Sequence, residues 1–210
     1  PTAKKNGEDF FSTYSKYFTD SMVTVLDIGA QDVNGSLKQV CPPSFKYIGV
    51  DFQEAKGVDI VLIDPYKLPF DDQSIDIVVS SSCFEHSEMF WLSYLEILRI
   101  LKPTGLFYLN APSDGQVHKY PVDCWRFYPD SGHALVTWSR RNNFDPILLE
   151  CYTQIGGAWQ DYVAIFLKDQ QHKSLFTDRI LNHKKDCRNG MRSDGIIVLN
   201  AVGSTQNKRK

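Results

Sequence analysis

The sequence predicts an α/β fold: a mostly parallel, seven-stranded sheet with helices on both faces. Two observations carry this. From residue 23 onward, short apolar segments alternate with helical or loop segments, the pattern of strands joined by right-handed crossovers. The first apolar segment, Val25-Leu-Asp-Ile-Gly29, runs into a glycine, and the second, Tyr47-Ile-Gly-Val-Asp51, ends in an acid 22 residues further on. A glycine just past a strand lets backbone approach a ligand, because no Cβ intervenes. An acid at the next strand tip can accept hydrogen bonds from both hydroxyls of a ribose. Open α/β sheets hold an adenosine-containing cofactor in this way, at the carboxyl ends of the strands.

Each element has its own signal. Residues 8–20 place aromatics at 10, 11, 14, 17 and 18, which is helical spacing; core packing is the expected role, and a lid over the cofactor is the alternative. Strands follow at 23–28, 46–51, 58–63, 75–80 and 105–110. Ser36–Val40 is a short helical turn before Cys41-Pro-Pro43, so the first crossover is abbreviated. Asp64 to Asp72 is a proline-punctuated loop. Apolar positions 91, 94, 95, 98 and 101 predict a helix over 87–101, stopped by Lys102-Pro-Thr-Gly105. A sixth strand covers 146–154. The seventh is either 162–167 or, as the stronger pattern, 195–201.

The chain has 210 residues, 42% hydrophobic and 23% charged, which fits one soluble domain over 1–210. Residues 1–21 form an N-terminal helical segment, and 168–194 a C-terminal insertion without an evident role. A net charge of -2 gives no argument for nucleic acid, and the basic end Asn207–Lys210 is short. No apolar run approaches the roughly 18 residues of a membrane span, and no signal peptide is visible. Five dispersed cysteines (41, 83, 124, 151 and 187) without a Cys-x-x-Cys pair predict reduced thiols and a cytoplasmic location. No metal is expected: neither Cys83, Glu85 and His86 nor His118, Asp123 and Cys124 has a zinc-site spacing.

The dinucleotide fingerprint Gly-x-Gly-x-x-Gly fails, because Gln31 and Asn34 stand at its second and third glycines. Asp27 would repel a pyrophosphate and suits a cationic ligand. An acid-x-Gly at the first strand end followed by an acid at the second resembles the class I S-adenosylmethionine-dependent methyltransferases. Ile75-Asp-Ile-Val-Val-Ser80, Phe84-Glu-His86 and Glu96-Ile-Leu-Arg-Ile-Leu-Lys-Pro-Thr-Gly-Leu106 resemble the same family's fourth strand, helix and fifth strand. The resemblance covers roughly residues 23–167; Gln31 and Thr104 depart from the family's glycines. It implies a Rossmann-like fold and S-adenosyl-L-methionine as cofactor. It also implies roles. Asp27, Gly29 and Ala30 flank the methionine part. Asp51 holds the ribose, with Phe52 against the adenine. Asp64, before Leu68-Pro-Phe70, reads the adenine amine. The Ser80 backbone, at the end of the fourth strand, faces the methionine end.

The segment after the fifth strand contains His118-Lys-Tyr-Pro-Val-Asp-Cys-Trp-Arg-Phe127, which resembles a methyltransferase subgroup associated with glycan modification. Aromatic faces stack on sugars, and Asp and Arg hydrogen-bond hydroxyls. His118 and Asp123 are the catalytic candidates, with His118 as base for a hydroxyl. Tyr120, Trp125 and Arg126 are the acceptor-binding candidates; packing for Trp125 and Phe127, and an Arg126–Asp123 pair, are the structural alternatives. The expected function is O-methylation of a small-molecule or glycan acceptor. The rivals are methylation of a carboxylate, an amine or a lipid-linked intermediate, a nicotinamide oxidoreductase, and a non-catalytic S-adenosylmethionine-binding module.

Overall fold

A computed structural model describes residues 2–193 and 195–199; for 195–199 only the backbone path is described. The expected end of a strand at 200–201 and the basic segment 207–210 lie outside the described residues. In chain order the elements are α1 (Thr2–Tyr14), β1 (Thr24–Ile28), β2 (Lys46–Asp51), β3 (Ile60–Val61), β4 (Ile75–Ser81), α2 (Phe90–Ile100) and β5 (Leu101–Ala111). Then come α3 (Ser131–Arg140), β6 (Ile147–Gln154), β7 (Tyr162–Leu167), β8 (Cys187–Arg192) and β9 (Gly195–Leu199). Short 3-10 turns lie between them.

All strands join one sheet of order β3-β2-β1-β4-β5-β7-β6-β8-β9. Neighbours from β3 to β5 pair parallel, while β7 inserts antiparallel between β5 and β6. Both candidates for the seventh strand are therefore strands. The segment 162–167 takes the inner position, because all six of its residues are buried; 195–199 lies at the sheet edge. Among the described residues the sheet has nine strands rather than seven, because the 168–194 segment also contributes β8. β3 shrinks to two residues.

Two apolar layers sandwich the sheet, which is why β4 is buried along six consecutive residues. On one face, Tyr94, Ile97 and Leu98 of α2 and Leu135 and Val136 of α3 pack on β4, β5 and β7. On the other, Phe10, Phe11 and Tyr14 of α1 pack with Leu37, Phe176, Ile180 and Leu181. Phe10, Phe11 and Tyr14 of the N-terminal stripe are thus core, at 0–3% exposure, and Tyr17 and Phe18 are partly buried against them. α3 is the element the sequence pattern did not reveal. Two of its four buried residues are Gly132 and Ser139, so small side chains interrupt the apolar stripe. α2 ends at Ile100, and Lys102-Pro-Thr-Gly105 already belongs to β5.

Candidate active site

From β1 the chain moves to β2 and β3 on one side, while β4 pairs on the other. A crevice therefore opens beyond the carboxyl ends of β1 and β4, the usual ligand position in such sheets. A cavity of about 820 Å³ lies there, within the size range of small-molecule and cofactor sites. Gly29 and Ala30 form its floor, and their amides donate to the Val50 carbonyl of β2. Gly29 has φ +81°, and a Cβ here would lie 2.4 Å from Cβ of Cys83. The position therefore excludes any side chain.

Asp27 and Asp51 both line the cavity, and both are buried. The Tyr47 hydroxyl donates to Oδ2 of Asp27 at 2.6 Å. Burial nevertheless raises the Asp27 pKa to about 7, with the Tyr47 hydrogen bond opposing the shift and the Asp51 charge adding to it. Burial also raises Asp51, against the amides of Gln53 and Phe52 that its carboxylate accepts. Phe52 is half exposed on the cavity wall, beside the fully exposed Ile63. Two expected cofactor residues lie elsewhere. Asp64 does not line the cavity; its carboxylate accepts the Tyr66 amide at 2.8 Å, closing its own turn. Ser80 is fully buried and donates to the Ile28 carbonyl, pinning β4 to β1. The residues after it, Ser81, Ser82 and Cys83, line the cavity instead.

His118 to Val122 form another wall. The Tyr120 hydroxyl donates to Oε1 of Gln31 at 3.0 Å, so the departure from glycine at 31 gives the loop an anchor. Asp123 and Arg126 are behind the wall. Arg126 donates to both oxygens of Asp123, at 2.5 and 2.8 Å, and this pair holds the Asp123 carboxyl well below its ordinary range. Oδ2 of Asp123 accepts the His118 amide and lies 3.3 Å from His118 Nδ1. Trp125 also lies outside the cavity lining: its indole donates to the Ser87 carbonyl and packs on Phe90 and Trp91. Two neighbours of His118 were not sequence candidates for acceptor contacts. His86 has its ring centre 4.8 Å from that of His118, and Trp159 lies 4.3 Å away on β7's approach. Trp159 sits 41 residues downstream of His118, so only the β5–β7 pairing shows the contact.

A family profile described as a methyltransferase domain matches residues 10–109. Phthiotriol/phenolphthiotriol dimycocerosates methyltransferases of Mycobacterium tuberculosis and Mycobacterium bovis are 30% identical over 92 residues, covering 37% of this chain and 33% of theirs. The chain thus matches over about a third of the length of these curated relatives. Among solved structures, Burkholderia thailandensis 1,6-didemethyltoxoflavin-N1-methyltransferase, with bound 1,6-didemethyltoxoflavin and S-adenosylhomocysteine, aligns with TM-score 0.59 at 16% identity. It covers 80% of this chain and 79% of that one. A SAM-dependent methyltransferase from Archaeoglobus fulgidus aligns with TM-score 0.54 at 17% identity, covering 78% and 93%. Likeness at this level of identity concerns the fold.

Proposed function

We propose, from the class I S-adenosylmethionine-dependent methyltransferase fold and the methyltransferase domain that this chain carries, that it methylates a hydroxyl of a sugar or glycan. The observation that supports this best is the convergence of three features on one cavity: the Gly29 floor, the Asp27 and Asp51 carboxylates, and the His118 wall. The residues suit the cofactor. At Gly29 the space a Cβ would need is taken by Cys83, so bare backbone forms this part of the cavity floor. Asp27 offers a carboxylate to a cation, and Asp51 offers one to a ribose.

S-adenosylmethionine, when bound, supplies a methyl group already activated on a sulfonium. The protein's work is therefore proximity, orientation and proton removal. Tyr120 closes the loop wall onto Gln31. Asp123, fixed by Arg126, favours the imidazole tautomer with the proton on Nδ1, which leaves Nε2 of His118 as the base for the acceptor hydroxyl. In this reading Asp123 and Arg126 position the base, and Trp125 supports the loop.

Asp51→Ala is expected to weaken S-adenosylhomocysteine binding by about 1.5–3 kcal/mol, the worth of a charged hydrogen bond. Calorimetry showing unchanged affinity would remove Asp51 from the site. Binding is also expected to depend on pH through Asp27. Its carboxyl titrates at about 7 in the free protein, and a cationic ligand group favours the ionised form. Below pH 7 binding must therefore release a proton, and affinity should fall about tenfold between pH 8 and pH 6. A flat profile over this range would mean that Asp27 faces no cationic part of the ligand.

A lipid-linked acceptor is the second reading. Val33 and Ile63 are exposed apolar side chains on the cavity lining, and Val117 is exposed beside His118. The curated relatives carry a lipid's name as well. Methyl transfer to a lipid-linked sugar but not to the free sugar would favour it. No helix among the described residues is long and apolar enough to cross a membrane. The dispersed cysteines, without a Cys-x-x-Cys pair, support a cytoplasmic location.

A further inference from the structure

We propose that Glu85, His86 and His118 form a binding site for one divalent transition cation of the zinc type, at the wall of the cavity. No zinc spacing is visible along the chain, because His118 comes 32 residues after His86. The fold supplies the proximity. One nitrogen of each imidazole and one carboxylate oxygen of Glu85 all lie within 4.8 Å of one another. Nε2 of His86 is 3.8 Å from Oε1 of Glu85.

Two independent features point to a ligand. First, Glu85 is 1% exposed, and its Oε2 has no hydrogen-bond partner. A buried carboxylate oxygen without a donor is costly, and a cation beside it would remove that cost. Second, each imidazole has a polar group at Nδ1. The Val122 carbonyl contacts that of His86, and Asp123 lies 3.3 Å from that of His118. The Val122 contact leaves Nε2 of His86 available, as in the usual outer shell of a metal-ligating histidine, while the buried Nδ1 of His118 makes no hydrogen bond.

The geometry suits an open site. His86 and His118 face the cavity, whereas Glu85 lies behind them. Two histidines and a glutamate with a fourth position free is the donor set of a catalytic zinc centre. Metal–ligand bonds of about 2.0–2.2 Å require donor atoms roughly 3.3 Å apart, so donors now within 4.8 Å must close by up to about 1.5 Å. The loop and the turn that carry them are already joined, since the amides of Cys124 and Trp125 donate to the Glu85 carbonyl. Two nitrogen donors select against magnesium, which prefers an all-oxygen shell.

The role of the ion, unlike its binding, rests on the methyltransferase reading. In the loaded protein His118 is a ligand rather than the free base. The acceptor hydroxyl at the open position loses its proton to cavity water. Its oxygen lone pair then bonds the methyl carbon as the carbon–sulfur pair returns to sulfur.

The test uses the whole chain, stripped with chelator and titrated with zinc chloride in excess magnesium chloride. One zinc per chain is expected. Glu85→Gln and His86→Ala should each raise the zinc Kd at least about 100-fold, more than loss of an outer-shell partner. Circular dichroism establishes that each variant is folded. If one is not, the other variant and the visible spectrum of the cobalt-loaded wild type decide, nitrogen–oxygen ligation being expected. No zinc uptake by the wild type, or equal affinity in the folded variants, overturns the site. S-adenosylhomocysteine titrated into the same wild-type sample keeps the two readings apart: its failure to bind would sink the methyltransferase reading and leave the ion result standing.

Discussion

His118→Ala is expected to lower methyl-transfer turnover by about 10²–10⁴-fold while leaving S-adenosylhomocysteine affinity nearly unchanged. A sugar hydroxyl has a very high pKa, so the group that makes its proton labile controls the rate. His118 is on the cavity wall with Asp123 3.3 Å behind its Nδ1. The Asp123 carboxylate is itself held by Arg126, so its negative charge persists well into acid. Single-turnover assays with a panel of glycan acceptors measure the effect. Unchanged turnover would make His118 structural. Collapse of cofactor affinity would place the loop in the cofactor site and remove the main support for a glycan acceptor. Chelation separates the two ways His118 can act. A wild-type rate that falls to the variant's level on chelation, and returns with zinc, assigns it as a ligand; an unchanged rate assigns it as the base.

The largest expected effect on stability is at Glu150. Its side chain is fully buried on β6 and accepts three hydrogen bonds: from the Tyr14 hydroxyl at 2.6 Å, the Ile180 amide at 2.7 Å and the Leu181 amide at 3.0 Å. It thereby joins α1, the sheet and the segment 168–194. Glu150→Ala would leave two buried amides without an acceptor, at about 1–3 kcal/mol each. A total loss of about 3–5 kcal/mol is expected, which lowers Tm by roughly 10 °C for a chain of this size. Glu150→Gln keeps one acceptor oxygen and should lose less. A thermal melt showing Glu150→Ala within a degree or two of wild type would mean that the 168–194 segment is not secured through this carboxylate.

The Glu150 contacts also give the C-terminal segment a role its sequence did not show. Residues 168–194 have no strong periodicity, and their function in the fold is to cover the α1 face through Phe176, Ile180 and Leu181. The same limit applied to α3, where Gly132 and Ser139 stand in a buried stripe. Composition-based patterns register large apolar side chains, and these positions are buried by backbone proximity instead.

The sequence by itself determined the parallel core β1 to β5, the glycine floor at 29, and the acids at 27 and 51. Each of these is local: a strand, its terminal residue and the next strand tip are fixed by alternation and by one backbone requirement. Tertiary structure alone decided which candidates face the cavity. Asp64 turned to its own loop, Ser80 to Ile28, and Trp125 and Arg126 to supporting contacts. It also brought Glu85, His86, His118 and Trp159 together from three separate segments. Side-chain direction at a loop, and contact between segments tens of residues apart, depend on how the crossovers close. No periodicity along the chain encodes that closure.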